Sequence, residues 1–279
     1  MCRPLSSQPR RFPHVMAPEV PQHEIGGPPV SGRTFKLPMR PLLGDCAPSG
    51  RMRLDALARW AQDVAYADIE DAGLEQVAIW VVRRTRIKVL RFPRFGEHFE
   101  VQTFASGLGR MWAQRSTIVT PVHVGGRLGP TPVATTPVVE LVSLWIHLDP
   151  VRLVPSVITQ AELDIYAEAA GDRRCPHRLT HPRPEVEDKG SEWVFRRTDT
   201  DLADHVNNAA YWEPLEEELL ASNSDPSGVD AELEFRAPAQ PGRVRLLRDG
   251  PYRWLTEPES GEVYASMLLR NASTTSGSN

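Results

Sequence analysis

Residues 199–216 read Asp199-Thr200-Asp201-Leu202-Ala203-Asp204-His205-Val206-Asn207-Asn208-Ala209-Ala210-Tyr211-Trp212-Glu213-Pro214-Leu215-Glu216. Two carboxylates, Asp199 and Asp201, stand one residue apart and are followed by Asp204-His205. Val206, Ala209, Ala210, Trp212, Leu215, Leu219 and Leu220 then recur largely at three- and four-residue steps, which predicts a helix with one buried face. The polar cluster would lie just ahead of that helix, where unpaired amides and the positive end of the dipole stabilise negative charge. An acid and a base facing a small anion hole suit acyl-transfer chemistry. Asp201 is the candidate base or nucleophile, and His205 its partner for orienting water or a carbonyl. The amides of Val206 and Asn207 are the expected oxyanion donors, one such donor being worth about 3 kcal/mol. Asp199 and Asp204 read as caps or solvated groups; if Asp199 met Asp201, the pair would resist full ionisation. Asn207 and Asn208 read as turn-fixing residues, Tyr211 and Trp212 as core. A calcium loop is excluded, because its glycine and glutamate positions hold Asp204 and Ala210.

Around this stretch the composition is that of a globular protein. Hydrophobic residues make up 41% and charged residues 24% of the 279, ample for a sizeable core. A net charge of −4 gives no broad attraction to nucleic acid. Cys2, Cys46 and Cys175 have no CxxC spacing, so a disulfide framework is not expected and a reducing, cytoplasmic location is. Cys175 with His177 and His181 falls in a Pro/Arg-rich stretch, a poor setting for zinc, and neither metal nor cofactor is expected. No apolar run is long enough to span a bilayer. Residues 1–33 are proline-rich and are expected to be a disordered tail, as are residues 271–279.

Between the tails one order of elements occurs twice: short strand, polar turn, helix, strands. In the first half, Thr34 to Leu37 is a strand. Leu54, Leu57, Ala58, Ala61, Val64 and Ala65 form a helical stripe that ends near Gly73. Strands are expected over Trp80–Arg91, Glu97–Ala105, Met111–Val122 and Val138–Leu148, with Gly125-Gly126 as a turn. A helix over Gln160–Ala170 and a linker over Arg173–Pro184 follow. The second half offers Trp193–Arg197, the motif, and strands over Val229–Arg236, Arg243–Arg248, Tyr252–Leu255 and Glu262–Leu269. The two turns can be laid over each other: Asp45-x-Ala47-x-x-Gly50-Arg51 on Asp199-x-Asp201-x-x-Asp204-His205, which suggests a tandem duplication. The first copy lacks the Asp201 and His205 equivalents. The expected fold class is α+β, with an N-terminal unit over 34–150, a helix and linker over 151–189, and a C-terminal catalytic unit over 190–270.

The motif Asp199-x-Asp201-x-x-Asp204-His205-Val206-Asn207-Asn208-x-x-Tyr211 resembles the DxDxxGHVNNxxY signature of hot-dog-fold thioesterases. Residues 79–96 and Ser143-Leu-Trp145-Ile-His-Leu-Asp149 extend the resemblance to the acyl-ACP thioesterases of plants and bacteria, over about Thr34 to Leu269. That resemblance implies two tandem hot-dog domains, each a long helix wrapped by a curved antiparallel sheet. It also implies hydrolysis of fatty acyl-ACP to free fatty acid, with the acyl chain in the first domain and catalysis in the second. Asp201 matches the family's catalytic aspartate and His205 its histidine. Three positions depart from the plant pattern: Ala203 replaces an asparagine, and Ala237-Pro238 replaces a Glu-Cys pair, so a Cys-His-Asn mechanism has no nucleophile there. The rivals are an acyl-CoA thioesterase, a protein that binds acyl thioesters without cleaving them, and, against the motif, a hot-dog dehydratase. The helix stripe Leu57, Ala61, Val64 and Ala65 is the candidate acyl pocket. Arg83, Arg84 and Arg86 are a candidate docking stripe for an acidic carrier protein. Such a duplicated chain can act as a monomer or a homodimer.

Overall fold

The computed structural model describes residues 27–75, 79–123, 131–132, 136–173, 175–185, 190–222 and 225–270. Both tails beyond these limits, and the Gly125-Gly126 turn, lie outside the described residues.

The first half runs β1 (Phe35–Met39), a 3-10 turn (Leu43–Asp45), α1 (Leu54–Asp71), β2 (Ile79–Val89), β3 (His98–Leu108), β4 (Trp112–His123), β5 (Thr131–Pro132) and β6 (Val139–Leu148). After α2 (Gln160–Ala170), the second half runs β7 (Ser191–Phe195), a 3-10 turn (Arg197–Asp199), a second 3-10 turn (Ala210–Trp212) and α3 (Glu213–Leu220). Strands β8 (Val229–Phe235), β9 (Gly242–Asp249), β10 (Tyr252–Thr256) and β11 (Val263–Arg270) complete it. The strands form one antiparallel sheet ordered β1-β3-β4-β6-β2-β8-β11-β10-β9-β7, with β5 appended to β4. The halves meet where β2 pairs with β8, from Arg84↔Glu234 to Val89↔Val229. This is an α+β architecture of two helix-on-sheet units sharing one sheet.

The elements form where the side-chain periods place them. Along β2, Thr85, Ile87 and Val89 face the helices while Arg84, Arg86 and Lys88 face away, the period-2 alternation of a strand. α1 buries Leu54, Leu57, Trp60, Ala61, Val64 and Ala65, and it ends at Gly73, whose φ of +67° suits a residue without Cβ. α2 begins with a capping box: the Glu162 amide donates to Thr159 Oγ1 (3.3 Å), and the Thr159 amide donates to Glu162 Oε2 (2.9 Å). The main core joins residues of α1, the Ala210–Trp212 turn, α3 and both halves of the sheet.

Two expectations fail here for physical reasons. The helix of the second half does not begin at Val206; α3 has eight residues and starts at Glu213 with Pro214 in its first turn. A helix running through from Val206 would place Pro214 in its interior, where the missing N–H and the ring clash break the ladder. The long helix expected in each half is therefore present only in the first. The supposed docking stripe is also not a surface. Segment 175–185 crosses the outer face of the sheet at the β2–β8 junction. Arg84 is buried there, donating to Pro176 O (2.6 Å) and Arg178 O (3.2 Å) and lying 3.9 Å from Glu232. Arg86 forks onto Asp230 (2.8 and 2.6 Å), and Arg83 donates to Arg236 O (3.3 Å). Of the arginines read from sequence as a carrier site, Arg84 and Arg86 are buried and Arg83 is half-buried.

Candidate functional site

The motif turn is built by backbone hydrogen bonds that recur in the first half. The Asp201 amide donates to His205 O (3.0 Å), as Ala47 does to Arg51 O (2.8 Å). The Asp204 amide donates to Asp201 O (3.1 Å), as Gly50 does to Ala47 O (2.8 Å). Asn207 donates to Asp199 O (2.8 Å) and Arg53 to Asp45 O (2.9 Å). Thr200 bridges to Val206 as Cys46 bridges to Met52. Asp204 takes φ +57° where Gly50 takes φ +82°, a left-handed conformation that a short polar side chain tolerates. The superposition read from seven residues thus holds bond for bond.

Within this frame Asp201 is exposed and held from two sides. Its Oδ1 accepts the Ala203 amide (2.9 Å), and its Oδ2 accepts from Asn207 Nδ2 (3.3 Å). Asn207 Oδ1 in turn accepts the Ala209 amide (2.8 Å). Asn207 therefore fixes the turn, as expected, and also steadies the carboxylate. His205 is half-buried and its ring makes no hydrogen bond among the described residues. Asp199 does not meet Asp201. It is buried, accepts the Arg196 amide (2.6 Å) and pairs with the Arg196 guanidinium (3.0 Å), so it caps the preceding turn. The carboxylate of Asp199 is thus spent on that cap.

The oxyanion assignment needs correction as well. The Val206 amide donates to Ala239 O (3.0 Å) and the Asn207 amide to Asp199 O (2.8 Å), so both are spent on holding the turn. Ala239 is itself positioned by Tyr211, whose hydroxyl accepts the Ala239 amide (2.8 Å). Burial pushes the Tyr211 phenol up to about 12, so it stays protonated. Tyr211 is core, between the rings of Phe195 and Phe235, yet its hydroxyl links the core to the motif through the loop that replaces the plant-type Glu-Cys pair.

One residue beyond Asn207, Asn208 lines a cleft of about 10 Å³ with Ala58, Ala61 and Gln62 of α1, Val82, Thr85, Ser143, Trp145, Trp212 and Phe235. Of the predicted acyl-pocket residues, Ala61 reaches this cleft. Leu57, Val64 and Ala65 are buried in the core and do not line it. Local pattern does not connect Gln62 with the motif, because it comes from the other half of the chain. Counted from Arg51 and from His205, Gln62 and Glu216 occupy the same place, which is a signal that the repeat did carry.

The Cys175, His177 and His181 trio does not converge. Cys175 Sγ donates to Ser106 O (3.3 Å), His177 stacks on Trp112 (5.1 Å), and His181 is buried. His181 Nδ1 sits 3.0 Å from Ser266 Oγ and its Nε2 3.3 Å from Glu232. The donor atoms of His181, Glu232 and Glu234 lie within 4.8 Å of one another, a spacing compatible with a metal. Arg84, Arg236 and Arg270 lie 3.9, 3.2 and 3.4 Å from these carboxylates and supply the positive charge a cation would bring, so the cluster reads as a structural ion network.

Comparison with known proteins places this geometry in context. The model of the acyl-ACP thioesterase N-terminal domain matches residues 32–165 and that of the C-terminal domain matches residues 183–245. An uncharacterized protein of Mycobacterium tuberculosis is 26% identical over 221 residues, 79% of this chain and 84% of its own length. Oleoyl-acyl carrier protein thioesterase 2 of Arabidopsis thaliana is 22% identical over 80% of this chain and 63% of that protein. Two solved structures are similar at a TM-score of 0.64. They are the acyl-ACP thioesterase of Bacteroides thetaiotaomicron (17% identity, 85% of this chain and 96% of that one) and the 12:0-ACP thioesterase of Umbellularia californica (16%, 86% and 97%). At such identities the likeness speaks for the tandem hot-dog fold. With both domain models matched in order along one polypeptide, the chain belongs to the acyl-ACP thioesterase family.

Proposed function

We propose that this protein hydrolyses the thioester of a fatty acyl group carried on acyl carrier protein, with Asp201 as the general base. The observation that carries the reading is the Asp201 carboxylate itself: exposed and held by the Ala203 amide and by Asn207, whose neighbour Asn208 lines the cleft. A water held by Asp201 gives up a proton as its oxygen attacks the thioester carbon. Since the Val206 and Asn207 amides are engaged, the side-chain amide of Asn208 is the donor assigned to the oxyanion. Collapse of the tetrahedral intermediate breaks the carbon–sulfur bond, and the departing thiolate takes a proton from His205, which recovers it through water from Asp201, so that both groups return to their starting state. Free acid and carrier thiol result, with no step that needs a metal.

The thioester end is common to carrier protein and coenzyme A, so an acyl-CoA thioesterase is the second reading. Ala203, Ala237 and Pro238 favour a third, a protein that binds acyl thioesters without cleaving them. Thiol release from acyl-ACP and acyl-CoA decides among them. Release is expected from the wild type and is expected to fall by about 10³-fold in Asp201→Asn, the middle of the range for loss of a general base. Turnover at the wild-type rate in that variant would remove Asp201 from the mechanism. Faster release from acyl-CoA would favour the second reading, and no release from either carrier the third.

A further inference from the structure

We propose that the turn after β6 is a contact site for an anionic lipid surface, with Val151 and Leu153 entering the bilayer boundary and Arg110 and Arg152 meeting its headgroups.

The turn is braced and its tip is bare. Asp149 Oδ1 accepts the amides of Val151 (2.9 Å) and Arg152 (2.7 Å), while Leu153 donates to Asp149 O and Asp149 to Val154 O (both 2.9 Å). Val151 is nonetheless 88% exposed and Leu153 61%, with Val154 and Val157 exposed beside them. Leu153 also holds φ +54°, a left-handed conformation in which Asn or Asp is common and leucine is not. A strained backbone that keeps a large apolar side chain in water points to a use for that side chain outside the chain itself. The apolar surface continues onto the sheet. Pro155 bridges Leu148, which stands opposite Ile79, and Val81 stands opposite Ile146. Ile79 and Val81 are exposed, on the face opposite that of Val82, which is in the core.

The charge beside this surface is positive. Arg152 lies between the two tip residues, and Arg110 accepts the Ile158 amide on its carbonyl (3.0 Å), next to Val157; both arginines are exposed. Asp149 is the one acid from Leu141 to Ala161, and it is turned onto the tip amides. Leucine and valine are under-represented among the residues that anchor protein partners, where Trp and Tyr dominate, and the tip carries no aromatic ring. A bilayer instead rewards buried aliphatic area and neighbouring arginines directly. On the thioester reading, a released fatty acid would partition into such a surface, but the test does not depend on that reading.

The test is flotation of the full-length protein with vesicles of phosphatidylcholine alone and of equal parts phosphatidylcholine and phosphatidylglycerol. The mixed vesicles are expected to bind at least about tenfold more tightly, a preference that two arginines at the surface supply and that salt weakens. Leu153→Asn relieves the backbone and removes the apolar group. It is expected to keep or raise the Tm while weakening mixed-vesicle binding by about tenfold. Val151→Asp, at a position already in water, is expected to weaken binding as much, and it stands in should Leu153→Asn not fold. No binding to either vesicle, equal binding to both, or wild-type binding by either variant would overturn the proposal. Loss of acyl-ACP turnover in Val151→Asp, with no vesicle binding by the wild type, would assign the tip to a carrier protein and overturn it too.

Discussion

The turn at Asp45–Arg51 and the turn at Asp199–His205 share a backbone and differ in what their side chains do. In the first, the position of His205 is held by Arg51, fully buried, paired with Glu216 (2.7 Å) and Asp225 (3.0 Å) and stacked over Phe92. Glu216 belongs to α3 of the other half, and its second oxygen accepts the amide of Leu54, the first residue of α1. The first copy has become a bolt between halves. The second has Asp201 exposed and a histidine ring with no hydrogen bond among the described residues, and Gln62, spaced from Arg51 as Glu216 is from His205, lines the cleft with Asn208. One frame supports either a closed ion pair or an open site. The proposed mechanism places the chemistry in the copy whose side chains do not hold the two halves together.

The sharpest way to break this comparison is to exchange the roles. Arg51→Ala is expected to destabilise by about 3–5 kcal/mol, because it strands Glu216 as a buried charge, and a urea melt would measure the loss. His205→Ala at the matching position should cost under about 1 kcal/mol of stability, as a half-exposed ring with no partner supports little. Its turnover should nevertheless fall by about 10²-fold, the lower range for loss of an acid–base group. If the stability costs came out equal, the division of labour would be wrong. Tyr211→Phe should cost about 1 kcal/mol through the unpaired Ala239 amide. It should also lower kcat more than it raises KM, because it loosens the loop that holds Val206.

The smallest expected effect concerns acid. Burial pushes the Asp55 carboxyl up, but hydrogen bonds from Arg53 and Arg59 outweigh that and hold it below the ordinary value of 3.8. Its stabilising contribution is complete above 3.8 and is lost as the pH falls through the lower folded value. Asp55→Asn should therefore lower stability near neutrality and make thermal stability less sensitive to pH below about 4. An unchanged acid limb would place the first-half charges outside the stability balance.

Most of the fold was legible because it is periodic. Helix α2 falls on the span read from sequence, and the strands of both halves lie within a few residues of their predicted limits. The motif turn was legible because its repeat carries the same spacing. The departures have two causes. Pro214 bars a helix running from Val206, because a proline in that register is tolerated only in a first turn. The rest depend on residues remote in the chain: Ala239, which takes the Val206 amide; Pro176 and Arg178, which take Arg84; and Gln62, which faces the motif from α1. Local pattern reports which face a side chain takes, and it is silent on what later covers that face.

The segment 175–185 has such a covering role. It reaches Arg84 on one side of the β2–β8 junction, while the Thr180 and His181 amides donate to Glu234 on the other. Trp254 Nε1 donates to Pro182 O farther along the second half (2.9 Å). The connection between the repeats is thus also a girth strap over their seam. The sheet face beneath it is closed to any neighbouring molecule, and the seam between the halves is stitched by the chain's own ribbon.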